Sequence, residues 1–228
     1  MLFRSLWKIP SGEVQNQQLL KKIAETKKPL LVSSGMSSLA ELDQAINLIR
    51  EYHDQFVLMQ CTTSYPCPPS SIGLNILEQY KRKYCCEVGL SDHSGTIYPG
   101  LAAATLGAKV IEVHVTFNKD MFGYDATSSI SMEQLKILVE GVNFIDQMLK
   151  NPIDKDQQSN MMSEVKSLFQ KSIFVRRAIN EGEIFSEDSF ILKKPGTGIP
   201  ASLIDMVIGK KSRIYLEPGK ILRWEDIE

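Results

Sequence analysis

Across the first two-thirds of this 228-residue chain, short apolar, β-branched runs end in small polar residues and alternate with amphipathic stretches. The runs fall at 6–9, 30–33, 56–61, 86–91 and 109–116, and the helical stretches near 16–26, 37–52, 71–83 and 96–106. Leu39, Leu42, Ile46 and Ile49 stand at helical spacing. A further helix is predicted over 131–149, opening on Ser131 and Glu133 and carrying Leu135, Leu138, Val142 and Ile145. Such alternation implies parallel strands joined by right-handed crossovers. Strands apolar throughout bury both faces, as in a barrel or a doubly wound sheet. A closed (β/α)8 barrel takes about 250 residues and eight units. The expectation is an α/β fold: an incomplete TIM (β/α)8 barrel over 1–150, with about five of eight βα units and without the first three strands.

The composition changes after 150. Residues 151–164, NPIDKDQQSNMMSE, read as a polar linker with room for a short helix. Residues 165–228 hold short β-like runs at 172–175, 190–193 and 213–216, separated by Asn180-Glu181-Gly182-Glu183, Pro195-Gly196-Thr197-Gly198 and Glu217-Pro218-Gly219. They predict a small, mostly β domain in which the first and last of these segments form equivalent turns.

Lysine and arginine total 26 against 27 acidic residues, a net charge of -1. Nothing here favours a nucleic acid or an anionic membrane as partner, so an anionic ligand has to be held by a local site. No apolar run has the length of a membrane span, and MLFRSLWKIP lacks the apolar core of a secretion signal. Cys61, Cys67, Cys85 and Cys86 form no C-x-x-C pair, so reduced thiols and a cytoplasmic location are expected.

The polar residues cluster where each apolar run stops, and in a barrel those strand ends form the active face. His93 and His114 follow neighbouring runs. Two neutral imidazoles suit a borderline divalent metal and leave positions for water or substrate. A buried or solvated structural histidine is the alternative at each, and His53, amid charged residues, reads as solvated. Ser11, Ser33, Ser34, Thr62, Thr63 and Ser91 supply hydroxyls able to surround a phosphate or carboxylate, with Lys8 as a cation. Each could equally be an ordinary loop residue; their recurrence at successive strand ends is the signal. Tyr65, in the proline-stiffened Tyr65-Pro66-Cys67-Pro68-Pro69, could face a substrate or only make a turn. Asp125 could bind a sugar hydroxyl or cap a turn. Lys193-Lys194-Pro195-Gly196 could reach an anionic substrate or lie in solvent.

Taken in order, Lys8-Ile9-Pro10-Ser11-Gly12-Glu13, Ser33-Ser34-Gly35-Met36, Cys61-Thr62-Thr63-Ser64-Tyr65-Pro66, Gly89-Leu90-Ser91-Asp92-His93 and Glu112-Val113-His114-Val115-Thr116 resemble N-acetylneuraminate (sialic acid) synthases, including legionaminate-type synthases. The tail resembles their SAF, or antifreeze-like, domain. The resemblance implies a (β/α)8 barrel followed by that domain, in a domain-swapped homodimer where each SAF domain caps the partner's barrel. It implies condensation of phosphoenolpyruvate with an N-acetylated amino sugar, N-acetylmannosamine or a 2,4-diacetamido-trideoxyhexose, to a nonulosonic acid and phosphate. It implies a divalent metal, Mn or Mg, on His93 and His114, and phosphoenolpyruvate held by Lys8, Ser11, Ser33, Thr62, Thr63 and Ser91. Thr63 occupies a position that is often Asn. Tyr65, Asp125 and Lys194 correspond to sugar contacts, and Lys194 stands where an arginine is usual, a change of donor geometry. In the family the first three strands supply a glutamate and further lysines. A chain without them is expected to be poorly active alone, as a truncated or split synthase or as a remnant kept for dimerisation. Another phosphoenolpyruvate-dependent keto-acid synthase is the remaining alternative, against which the SAF-like tail argues.

Overall fold

A computed structural model describes residues 5–228, and the chain divides into two compact units, Met1–Pro152 and Ile153–Glu228. The first unit runs β1 (Trp7–Ile9), α1 (Gln17–Ala24), β2 (Leu30–Ser33), α2 (Leu39–Arg50), β3 (Phe56–Cys61), α3 (Asn75–Tyr84), β4 (Glu87–Asp92), α4 (Tyr98–Thr105), β5 (Val110–Thr116), β6 (Ser129–Ser131) and α5 (Met132–Lys150). The strands form one parallel six-stranded sheet in sequence order. The sixth strand was not expected from the sequence: Ser-Ile-Ser is too short and too polar to register as an apolar run.

Register assigns each residue to a face. Lys8 pairs with Leu31, Ser33 with Met59, Cys61 with Ser91, and Ser91 with Glu112. Paired residues of parallel strands share a face, and faces alternate along a strand. Lys8, Ser33, Met59, Cys61, Ser91 and Glu112 therefore line one face, and Ile9, Val32, Leu58 and Leu90 the other. The second set packs with Leu20, Leu42, Ile46, Ile49 and Leu77 in one core cluster. Helices thus cover one face of the sheet and leave the face bearing the polar side chains as its interior. Leu58 is fully buried in that core. Leu58→Ala is expected to destabilise the unit by about 2–5 kcal/mol, seen as a lower urea midpoint with an unchanged slope.

The sheet is curled. Lys8 on β1 and Glu112 on β5 form an ion pair. A flat sheet would hold strands four positions apart roughly 19 Å from each other, beyond the combined reach of a lysine and a glutamate. The curl gathers the strand ends around one mouth.

Helix starts follow their caps. Ser38 caps α2 with Glu41 in return, and Ser131 caps α5 with Gln134. The return partner on α5 is Gln134, not Glu133, because only the third helical residue reaches back to the cap N–H.

In the second unit the stretch expected to be a linker forms α6 (Lys155–Met161) and α7 (Ser163–Phe169). Asp154 caps α6 by accepting from the N–H groups of Asp156 and Gln157. An antiparallel pair follows, β7 (Ser172–Val175) with β8 (Phe190–Lys193), over a core of Ile173, Val175, Ile179, Phe185, Leu216 and Leu222. Residues 213–216 form no strand; Leu216 makes an isolated bridge to Ile179. Gly182 and Gly219, in the two similar turns, have φ of 77° and 87°, the left-handed region that favours glycine.

Candidate active site

His93 directly follows β4 and is 6% exposed. Its Nδ1 lies 3.0 Å from the Thr62 carbonyl oxygen. A carbonyl can only accept, so Nδ1 carries the proton and Nε2 keeps its lone pair. The Tyr65 hydroxyl, 3.3 Å from Nε2, donates to it. The Cys67 N–H donates to the His93 carbonyl at 3.0 Å and ties the two loops together. The Tyr65 ring stacks on His93, with centroids 4.2 Å apart at 20°, and meets His114 edge-on at 5.7 Å. The two imidazole centroids are 5.2 Å apart. An Asp125 carboxylate oxygen stands 3.7 Å from His114 Nδ1. His93, His114, Tyr65 and Asp125 therefore share one mouth.

Burial holds the His93 pKa below its ordinary value, and the neighbouring His114 adds to the effect. Burial raises Asp92 instead, opposed by hydrogen bonds from the Ser94 hydroxyl and N–H at 2.7 and 3.0 Å. The sign for stability follows from His93 resisting protonation when folded. Below the ordinary histidine value of about 6.5, the unfolded chain binds more protons than the folded one, so stability falls with pH. Acidification from about pH 7 to 5.5 is expected to lower the urea midpoint, and less so in His93→Gln.

Beneath the imidazoles lies a bed of small groups. Ser33 and Ser91 are 3% and 4% exposed, and both stand on the inner face of the sheet. Gly35 closes this bed: a Cβ built there would lie 2.7 Å from Thr63 Oγ1, 2.9 Å from Cys61 Sγ and 3.2 Å from Ser11 Cβ. Side chains from the ends of β1 and β3 thus converge on the bare face of one glycine. Lys8 lies on the same inner face, neutralised by Glu112. Small hydroxyls, a bare glycine and a lysine paired with Glu112 form a cradle able to take a small anion.

Two expected residues stand elsewhere. The Thr62 hydroxyl donates to the Ser71 carbonyl at 2.6 Å, so its side chain braces the loop while its carbonyl orients His93. Lys194 belongs to the second unit, where its Nζ lies 5.0 Å from the centre of the Phe169 ring. His53 is not simply solvated: its Nδ1 accepts from the Gln55 N–H at 3.1 Å and its Nε2 is buried without a partner. Gly35, Cys61 and Glu112 were not singled out from the sequence. The signal was period two: Cys61 precedes Thr63, and Glu112 precedes His114, by two residues on inward-facing ends.

A separate apolar cavity, walled by Cys67, Ile72, Leu74, Tyr98, Pro99 and Ala102, lacks any charged side chain in its lining and does not match an anion. For a metal, the neutral His93 fits once the Tyr65 hydroxyl gives up its Nε2 lone pair, and the Thr62 carbonyl supplies the second-shell contact that ligating histidines need. No group of three or more His, Cys, Asp or Glu is arranged around one metal position among the described residues. The protein here offers two imidazoles and leaves other positions open.

Residues 2–154 match the model of the NeuB family, and residues 170–228 that of the SAF domain. The chain belongs to the NeuB family. It is 36% identical over 96% of its length to the N,N'-diacetyllegionaminic acid synthase of Campylobacter jejuni, and 34% identical over 97% to that of Legionella pneumophila. It spans 66% and 63% of those relatives' own lengths. The crystal structure of an N-acetylneuraminic acid synthetase from Leptospira borgpetersenii, in complex with citrate, matches with a TM-score of 0.65 at 27% identity, over 71% of this chain and 57% of that one. The six-stranded curled sheet is a partial NeuB barrel, followed by the SAF domain. No helix among the described residues is long and apolar enough to cross a membrane.

Proposed function

We propose that this chain carries the metal and phosphoenolpyruvate half of a nonulosonic acid synthase, which condenses phosphoenolpyruvate with an N-acetylated amino sugar. The observation that carries the reading is the approach of His93 and His114, ring centroids 5.2 Å apart, on the same inner face as Ser33 and Ser91. In the reaction, C3 of phosphoenolpyruvate bonds to the aldehyde carbon of the open-chain sugar, whose oxygen takes a proton. Water adds at C2, and C–O cleavage releases phosphate and leaves the 2-keto acid.

The residues divide this work. Ser11, Ser33, Thr63 and Ser91, with Lys8, hold the phosphate and carboxylate against the bare face of Gly35, fixing C3 in place. Thr62 acts through its carbonyl by setting the His93 tautomer. Tyr65 and Asp125 flank the imidazoles from the sugar side. A divalent cation, Mn or Mg, held by His93 and His114, would polarise the sugar aldehyde. Lys194 would meet the sugar's acyl group from the SAF domain of a partner subunit in a homodimer. Free thiols at all four cysteines support a reducing, cytoplasmic setting.

Among the described residues β1 and β6 end the sheet with no strand paired outside them, which favours completion of the barrel by further βα units. Turnover is expected only with those units present, and ligand binding without them. Purified chain with Mn2+, phosphoenolpyruvate and N-acetylmannosamine or a 2,4-diacetamido-trideoxyhexose would be assayed for keto acid and phosphate, alone and with a complementary barrel segment. Failure of phosphoenolpyruvate to bind the chain in either setting would sink the reading. Lys8→Gln is expected to weaken phosphoenolpyruvate binding roughly tenfold or more, the loss of one charge-assisted hydrogen bond, measured by calorimetry.

A further inference from the structure

The helix-covered face of the sheet carries Ile9, Val32, Leu58 and Leu90, and register places Gln60 on it, opposite Leu90. An apolar residue would suit that place, since a buried amide is costly unless its groups are paired. Gln60 is 6% exposed. Its Nε2 donates to the Ile72 carbonyl at 3.2 Å and stands 3.5 Å from the Thr62 hydroxyl. Its Oε1 lies 3.5 Å from the hydroxyl of Ser34, which donates to the Met59 carbonyl at 3.0 Å. Beside it the Thr62 hydroxyl donates to the Ser71 carbonyl at 2.6 Å. Side chains at the end of β3 thus hold the neighbouring carbonyls of Ser71 and Ile72, where the following loop returns. Gly73 leaves room for this joint. Its φ is 72°, and a Cβ there would lie 2.6 Å from Gln60 Nε2.

The loop closed in this way supplies the contacts that fix His93. The Thr62 carbonyl accepts from Nδ1, the Tyr65 hydroxyl donates to Nε2, and the Cys67 N–H donates to the His93 carbonyl. We propose that Gln60 is a positioning residue for His93. Its amide clamps the base of the loop and so keeps the Thr62 carbonyl on Nδ1, which leaves Nε2 as the basic nitrogen facing the mouth. Gln60 itself stands on the other face of the sheet and acts only through that loop. The inference rests on the reading of His93 as a metal ligand and adds a residue which that reading does not require.

Two variants of the full chain test it from opposite sides. Gln60→Leu removes the amide and suits its apolar neighbours. Gly73→Ala keeps the amide and drives a methyl group into it. Leu58→Ala, two residues earlier on the same strand and face, is the control for lost stability with the clamp intact. Circular dichroism establishes which variants are folded, and Gly73→Ala carries the test alone if Gln60→Leu is not. The tautomer of His93 is read at pH 8 from long-range 1H–15N correlation of the imidazoles, with its signal identified by its absence in His93→Gln. Mn2+ affinity is read separately by electron paramagnetic resonance. The expected result is a single Nδ1–H tautomer in the unmutated chain and in Leu58→Ala, and a mixture of both tautomers in Gln60→Leu and Gly73→Ala. Those two variants are expected to bind Mn2+ about tenfold more weakly, the size of loss that a missing second-shell partner causes.

An unchanged tautomer in the folded clamp variants overturns the inference and leaves the metal reading intact. So does an equal change in Leu58→Ala, which would make the effect one of general loosening. A mixed tautomer with Mn2+ bound as tightly as before also overturns the positioning role. Absence of Mn2+ binding by the unmutated chain overturns the metal reading instead, and the tautomer then decides whether the clamp holds.

Discussion

Gly35→Val is expected to reduce phosphate or phosphoenolpyruvate affinity at least about tenfold while the chain stays folded. The cause is steric. Even the first added carbon would meet the Thr63 hydroxyl at 2.7 Å and the Cys61 sulfur at 2.9 Å, closer than real Cβ contacts allow. The φ of Gly35 lies outside the left-handed region, so its backbone would accept a side chain without strain. What valine removes is the open space itself. Displacing an anion from even one of its hydroxyl partners costs about 1.5–3 kcal/mol for a charge-assisted bond. Overpacking would cost roughly 1–3 kcal/mol of stability as well, so circular dichroism and a urea titration accompany the calorimetry. Gly35→Ala should show the same direction with a smaller size. Unchanged anion affinity in the valine variant would show that the anion sits elsewhere.

His93→Ala is expected to lower Mn2+ affinity at least about 100-fold, read by the amplitude of the free-ion electron paramagnetic resonance signal. Loss of a second-shell partner alone costs about 10–100-fold, and here a ligand and its oriented lone pair both go. His93 is the histidine whose geometry is most constrained: the Thr62 carbonyl fixes the tautomer, the Cys67 N–H fixes the backbone and Tyr65 covers the ring. Asp125 stands 3.7 Å from His114 Nδ1, too far for a strong orienting hydrogen bond. The loss in His114→Ala should therefore be comparable or smaller. His53→Ala should leave Mn2+ affinity unchanged, since His53 lies before β3, at the opposite end of that strand from Thr62. An equal loss there would mean the ion is held nonspecifically, and an unchanged His93→Ala would remove the metal site from this mouth.

The alternation of apolar runs with amphipathic stretches implied the parallel sheet, while its sequential strand order came from the resemblance carried by the ordered motifs. Backbone hydrogen bonding and burial act locally, so pattern is enough to read them. The same locality explains why His93 and His114 were legible as a pair: each directly follows or sits near the end of a neighbouring apolar strand. The curl of the sheet was not legible, because it depends on how β1 and β5 approach across the interior, and only the Lys8–Glu112 pair shows that approach. Glu112 carries no local mark that separates it from a surface glutamate. Gly35 and Cys61 look like loop and core residues until Ser11 and Thr63 are brought against them from other strands. Thr62 shows the reverse: its hydroxyl suited the anion by type, yet it turns away because alternation puts Cys61 and Thr63 inside, and its carbonyl is the part that reaches the site. Residue type and period thus settled which groups were available, and tertiary convergence, driven by burial of the outer apolar face, decided which of their atoms meet.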